Sequence, residues 1–367
     1  MEVVDVARVI YRVVGETLYF DDALAAQTYA KEHPGTVIVR EASSEQQESA
    51  PRVIEHTPQE IVTALNRDII AQDEAKREVA LSLYYHQLKA HLLQRDKHVK
   101  SEPMMLVGPT GTGKTFLVQK ACELLHLDFV HIDASSLVSE GIVGNSISDI
   151  ARDIFERAAY DLFRAQECVV FLDEFDKLFC DEEGADQSVV HQLLRFIEGA
   201  SISFNFKDDQ GVTQSGSLQT QGMQFILAGA FQWLYEKKEQ RIEMGFQKSC
   251  EMTSKERTLV LEDFYEAGVS KEILGRLTTV VNLQVLDEED YYKLLTQSQS
   301  SPLKSYISKV RLHHSEVDID DQTIREIAKR AADSQLGVRA LKQILQMLFK
   351  EALFHAPQQK QRYKIRF

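Results

Sequence analysis

The chain has 367 residues, too many for one simple core, so two or three domains are expected. Hydrophobic residues make up 44 % and charged residues 27 %, which excludes a disordered or fibrous chain and leaves ample material to bury. With 42 Lys plus Arg against 56 Asp plus Glu the formal charge is −14; such a surface repels a phosphate backbone, and no nucleic-acid partner is expected.

At the start, Glu2 and Asp5 stand where a signal peptide would carry positive charge. No apolar run approaches the roughly 18 residues of a membrane span. A cytoplasmic protein without a membrane partner is expected. Residues 8 to 41 hold two β-rich runs, RVIYRVV and ETLYF, then a helix-like DDALAAQTYAKEH and a third run, GTVIVRE. This reads as a small α+β unit over 1–41. A polar, aperiodic stretch makes 42–56 a linker. Thr57-Pro58-Gln59-Glu60 then predicts a helix start, with Thr57 as N-cap and Glu60 as the reciprocal half of a capping box.

From Asp73 to about Gln94, positions Ala75, Val79, Leu83, His86, Ala90 and Leu93 recur at steps of three and four and mark one face of a long helix. His86 on that face reads as a packing histidine. Strand-like runs follow at MMLVG, DFVHID, CVVFLD and MQFILAG, with helical patterns between the first three. Apolar strands alternating with helices predict an α/β fold with a mostly parallel sheet covered on both faces. The large domain is drawn at 57–284. After residue 285 the pattern turns helical and ends in a short strand, RYKIRF, giving a small C-terminal domain at 285–367. The four cysteines, Cys122, Cys168, Cys180 and Cys250, form no C-x-x-C pair and read as buried thiols.

The stretch Gly108-Pro109-Thr110-Gly111-Thr112-Gly113-Lys114-Thr115 fits G-x-x-x-x-G-K-[ST] and lies between a strand and a helix, as a phosphate loop must. Its backbone N–H groups would cradle phosphates, Lys114 would reach the outer ones and the Thr115 hydroxyl would ligate Mg²⁺. Phe116 follows directly and joins the candidate nucleotide contacts. In VVFLDE a buried strand delivers Asp173 toward the metal, and Glu174 beside it is placed to deprotonate an attacking water. The cofactors expected are ATP and Mg²⁺.

These motifs resemble the AAA+ ATPases, and the ordered blocks from about Thr57 to the C-terminus resemble the ClpX-like unfoldases in particular. DIIAQDEAKREVALSLYYHQLKAHL is similar to the family's segment before the phosphate loop, which implies that Ile69 and Ile70 line the adenine pocket. EILGRLTTVV resembles the arginine-finger block and makes Arg276 the residue presented to a neighbouring subunit's ATP. LGVRALKQIL is similar to the second-sensor helix and implies that Arg339 contacts nucleotide within its own chain. A finger supplied in trans requires assembly, and a homohexamer is implied.

The resemblance further implies that protein substrates are pulled through a central pore. Gly141-Ile142-Val143-Gly144 falls where the family places its glycine-flanked pore loop, with Ile142 in place of an aromatic residue. Met244-Gly245-Phe246 falls where the family carries the tip that docks on a ClpP-type peptidase. The alternative is a dedicated remodelling factor that works without a protease. The chain departs from the family elsewhere too: the N-terminal zinc module has no counterpart, Ala71 replaces a glycine and Thr278 a proline. MQFILAGAF ends without an obvious first-sensor Asn or Thr, and KDDQGVTQSGSLQTQG supplies no basic entrance loop.

Overall fold

The computed structural model of the chain describes residues 9–13, 19–20, 38–42, 56–92, 102–137, 146–179, 187–207, 213–245, 258–266, 269, 271–334 and 336–367. Two compact units emerge, Met1–Val53 and Ile54–Phe367. In the first, β1 (Val9–Val13) lies between β2 (Tyr19–Phe20) and β3 (Ile38–Ala42), antiparallel to both, with Tyr11 opposite Phe20 and Arg40. The three β-rich runs of the sequence are these strands; the helix expected between the last two lies outside the described residues.

The second unit opens with α1 (Pro58–Leu65), whose Thr57 cap and Glu60 side chain form the reciprocal capping box the sequence predicts. Helix α2 (Asp73–Leu92) buries Ala75, Val79, Leu83 and His86 along one face. The His86 ring is satisfied at Nε2, 2.8 Å from the Glu167 carbonyl.

Then come β4 (Met104–Val107), α3 (Lys114–Leu124), β5 (Phe129–Asp133), α4 (Ile147–Arg157), α5 (Leu162–Gln166), β6 (Val169–Asp173) and α6 (Gln187–Glu198). A hairpin of β7 (Ser201–Lys207) and β8 (Thr213–Gln219) precedes β9 (Gln224–Gly229), α7 (Gln232–Gly245), α8 (Leu261–Glu266), α9 (Lys271–Leu274) and β10 (Thr279–Asn282). Five strands make one parallel sheet in the order β10-β4-β9-β6-β5. Every residue of β4 and β9 is buried, as a sheet covered on both faces requires.

Alternation along the strands divides the core into two halves. Met104, Leu106, Phe171, Ile226 and Val281 face one cluster, shared with α1, α2 and α3. Met105, Val107, Val170, Leu172, Phe225 and Leu227 face the other, shared with α4 and α6. The β7–β8 hairpin packs its Phe204 and Phe206 against Phe155 of α4, with ring centroids 5.2 and 5.0 Å apart. Both this hairpin and β10 go beyond the elements predicted from sequence.

A third cluster begins at Leu286 and is built by α10 (Glu288–Thr296), α11 (Pro302–Arg311), α12 (Asp321–Asp333) and α13 (Val338–His355). Strand β12 (Arg362–Ile365), the predicted RYKIRF strand, pairs parallel with β11 (Glu316–Ile319) at its edge. No helix among the described residues is long and apolar enough to cross a membrane.

Candidate nucleotide site

The carboxyl ends of β4, β6 and β9 meet at one place, where an open parallel sheet leaves room for a ligand. Strand β4 runs out at Val107, and Gly108 N–H donates to the Gly229 carbonyl at 3.3 Å. The loop then turns through Gly111 (φ 83°) into Gly113 (φ 96°), which starts α3 without a side-chain cap. A helix start with no capping side chain presents backbone N–H groups and the positive end of the helix dipole to an anion. Pro109 is half-buried, Thr110 exposed, and Thr112 buried with its hydroxyl donating to the Pro109 carbonyl at 2.9 Å.

Lys114 is 8 % exposed and donates to the carbonyls of Gly108 (2.5 Å) and Pro109 (3.2 Å). Burial pulls its pKa below the ordinary lysine value; Asp173 and Asp176 oppose that shift and Arg339 adds to it. Phe116 lies one helix position past Thr115, 39 % exposed, with Lys120 Nζ 5.8 Å from its ring centroid.

Thr115 Oγ1 donates to Asp173 Oδ2 at 3.0 Å. The same oxygen lies 3.2 Å from His131 Nε2, while Oδ1 accepts the Glu174 N–H at 2.9 Å. Burial pushes the Asp173 pKa up, but the hydrogen bonds from His131, Glu174 N–H and Thr115 outweigh it and leave the carboxyl below its usual value. It is therefore held as a carboxylate. Among the described residues no group of three or more His, Cys, Asp or Glu could hold a metal by itself. One hydroxyl and one carboxylate side by side suit Mg²⁺, which takes its remaining ligands from water and phosphate oxygens.

Glu174 is the first residue past β6 and sits at φ 55°, a left-handed conformation that costs a non-glycine residue about 1–2 kcal/mol. Its carboxylate pairs with Lys177 and accepts from Ser135 Oγ at 3.5 Å. Such strain is held in place by surrounding structure and clusters where chemistry is done.

Ile69 is buried in the core beside α2 and Ile70 is half-buried next to it. Arg339 is exposed in the first turn of α13, close enough to Lys114 to act on its charge. That helix start touches the phosphate loop: Val338 N–H donates to the Gly111 carbonyl at 3.1 Å. Arg276 stands apart from this group, ion-paired to Glu198 at the end of α6, with Nη1 donating to the Glu272 carbonyl at 2.5 Å. Of the other candidates, 141–144 and Phe246 lie outside the described residues, while the backbone of Met244 and Gly245 closes α7.

Sequence reasoning missed two residues here. His131 sits on the strand beside β6, and alternation in FVHID could have put it on a face with Asp133. Gln72 bonds to the Thr112 carbonyl at 3.5 Å and was legible only as part of the block around Ile69.

The ATPase family associated with various cellular activities (AAA) matches residues 104–229, from β4 through β9. The ATP-dependent Clp protease ATP-binding subunit ClpX 2 of Wolinella succinogenes is 29 % identical over 311 residues, covering 82 % of this chain and 78 % of that protein. The ClpX subunit of Bacteroides thetaiotaomicron is 27 % identical, with 97 % of this chain and 90 % of that protein aligned. That of Treponema denticola is 28 % identical over 84 % and 79 %. The likeness extends past the sheet and through the C-terminal helical core, so that over most of its length the chain, an ATPase, is similar to ClpX-named ATP-binding subunits.

Proposed function

We propose that this ATPase is a protein unfoldase and translocase that works as a homohexameric ring in the cytoplasm and draws protein substrates through its central pore. The observation that carries this reading is the extent of the likeness: ATP-binding subunits of Clp proteases align with nearly the whole chain, both cores included.

In this reading Thr115 and Asp173 would hold Mg²⁺, which would supply positive charge against the phosphates. Lys114 binds the outer phosphates, loop residues 109–113 and Phe116 surround the nucleotide, and Ile69 and Ile70 contact its base. Glu174 takes the proton of the attacking water, the step that general-base catalysis supplies. Arg276, ion-paired to Glu198 within its own chain, serves the adjoining subunit's site. Arg339 reports the nucleotide to the small domain. Residues 141–144 grip substrate, with Ile142 offering less contact area than an aromatic ring; Ile142→Tyr is expected to speed unfolding.

Delivery to a ClpP-type peptidase through Met244, Gly245 and Phe246 is the finer part of the proposal. Its alternative is a dedicated remodelling factor with no protease. The deciding experiment follows ATP turnover and degradation of a tagged folded reporter, with and without such a peptidase. Degradation that needs ATP and peptidase, and that disappears in Glu174→Gln and on deletion of 244–246, supports the full reading. ATP turnover with the reporter intact under every condition overturns generic unfolding.

A further inference from the structure

The turn between α1 and α2 carries Ile69 and Ile70 and ends in two consecutive left-handed residues, Ala71 (φ 54°) and Gln72 (φ 59°). Neither is glycine, so the conformation is imposed by what surrounds it. Gln72 is 5 % exposed, and its amide is fully engaged. Oε1 accepts the Gln284 N–H at 2.9 Å, Nε2 donates to the Gln284 carbonyl at 2.8 Å, and the same nitrogen lies 3.5 Å from the carbonyl of Thr112. Only one orientation of the amide serves both groups of Gln284, because its N–H needs an oxygen and its carbonyl an N–H.

Gln284 is where the chain passes from one core to the next. Leu283, before it, still extends the sheet, donating its N–H to Val107 at 2.7 Å, and Leu286, after it, is the first residue of the C-terminal core. Gln72 thus pairs with the crossover as a strand neighbour would, and on its other side reaches the phosphate loop. The start of the same turn is held independently from the small domain: Gln299 N–H donates to the Arg67 carbonyl and Ser298 Oγ to the Asp68 carbonyl, both at 2.8 Å.

We propose that Gln72 is a positioning residue that ties the crossover at Gln284 to the phosphate loop, so that movement of the small domain and the setting of the loop around ATP occur as one event. The inference rests on the nucleotide site described above. Binding of a fluorescent ADP analogue by the wild type tests that site alone.

The test compares Gln72→Ala and Gln72→Glu with the wild type in ATPase kinetics and in hydrogen–deuterium exchange of the peptide spanning 283–287. Glutamate keeps the acceptor for Gln284 N–H but turns a carboxylate toward two carbonyls. For both variants kcat is expected to fall about tenfold, within the range of coupling between sites, with KM for ATP within about threefold. The 283–287 amides should lose protection while those of β4 and β9 keep theirs. A rise in KM at unchanged kcat would make Gln72 an ordinary pocket residue and overturn the proposal. So would a loss of kcat with unaltered exchange at 283–287, or no effect at all. If Gln72→Ala does not fold, Gln72→Glu decides by the same criteria.

Discussion

Thr115 and His131 converge on one oxygen of Asp173, at 3.0 and 3.2 Å, the first from α3 and the second from β5. Partners of a ligating carboxylate fix its orientation and raise metal affinity, and losing one typically costs about 10–100-fold. His131→Ala should therefore raise the Mg²⁺ concentration for half-maximal ATP hydrolysis by roughly that factor. An unchanged magnesium titration would mean that Thr115 and the Glu174 N–H position Asp173 unaided.

With Glu174 as the proposed base, Glu174→Gln should reduce kcat by about 10²–10⁴ while leaving nucleotide binding in place, since the substitution removes the proton acceptor alone. Steady-state turnover and fluorescent-nucleotide titration separate the two. Equal losses in both would assign Glu174 to binding.

Ala71 occupies a left-handed conformation that glycine adopts without strain. Replacing it by glycine relieves about 1–2 kcal/mol in the folded state and gives part of that back to unfolded-chain entropy. Ala71→Gly is expected to raise Tm by about 2–4 °C, the effect of roughly 1 kcal/mol in a domain of a few hundred residues. A lower Tm would show that alanine's restriction of the unfolded chain dominates.

Gly337 and Gly111 meet backbone to backbone: a Cβ on Gly337 would stand 2.6 Å from the Gly111 Cα and carbonyl. Gly337→Ala should push the start of α13 away from the phosphate loop and break the Val338 to Gly111 hydrogen bond. Overpacking of this kind costs about 1–3 kcal/mol, so nucleotide affinity should drop roughly tenfold or more. Calorimetric titration with ADP measures it, and wild-type affinity would rule the contact out as a determinant of binding.

His86 sets an acid limit on the fold. Burial lowers its pKa from 6.5 to about 4, opposed by the hydrogen bond to the Glu167 carbonyl and assisted by Lys89. The folded value lies below the unfolded one, so the neutral ring's contribution is complete above pH 6.5. It is lost as the pH falls toward 4, at about 1.4 kcal/mol per unit. The urea midpoint should fall over that interval, and by less in His86→Gln. Parallel declines in the two proteins would exclude His86 as the cause.

What the sequence discloses is what is local. Gly108 to Thr115 announces itself because the bend needs glycines and the chemistry needs Lys114 and Thr115 beside them, and Thr57 with Glu60 marks a helix start within four residues. Strand β10 is different: Thr-Val-Val-Asn is too short to speak for itself, and its strand character comes from pairing with β4, far earlier in the chain. Strand β8, Thr-Gln-Ser-Gly-Ser-Leu-Gln, is almost wholly polar and is defined by its partner β7. His131 and Gln72 carry no motif. Their contacts follow from distances that only the folded chain supplies, and so does the pairing of Arg276 with Glu198.

The position of β4 in the sheet bears on how the protein is made. Its two neighbours, β9 and β10, begin only at residues 224 and 279, and the hydrogen bond from Leu283 to Val107 draws on a residue later still. During synthesis the phosphate loop would leave the ribosome long before the strands that frame it, and such non-local pairing is slow to form. Nascent fragments ending before about residue 283 should be blind to ATP. Nucleotide would then stabilise only nearly finished chains, making ATP a late checkpoint on the folding of the ATPase that uses it.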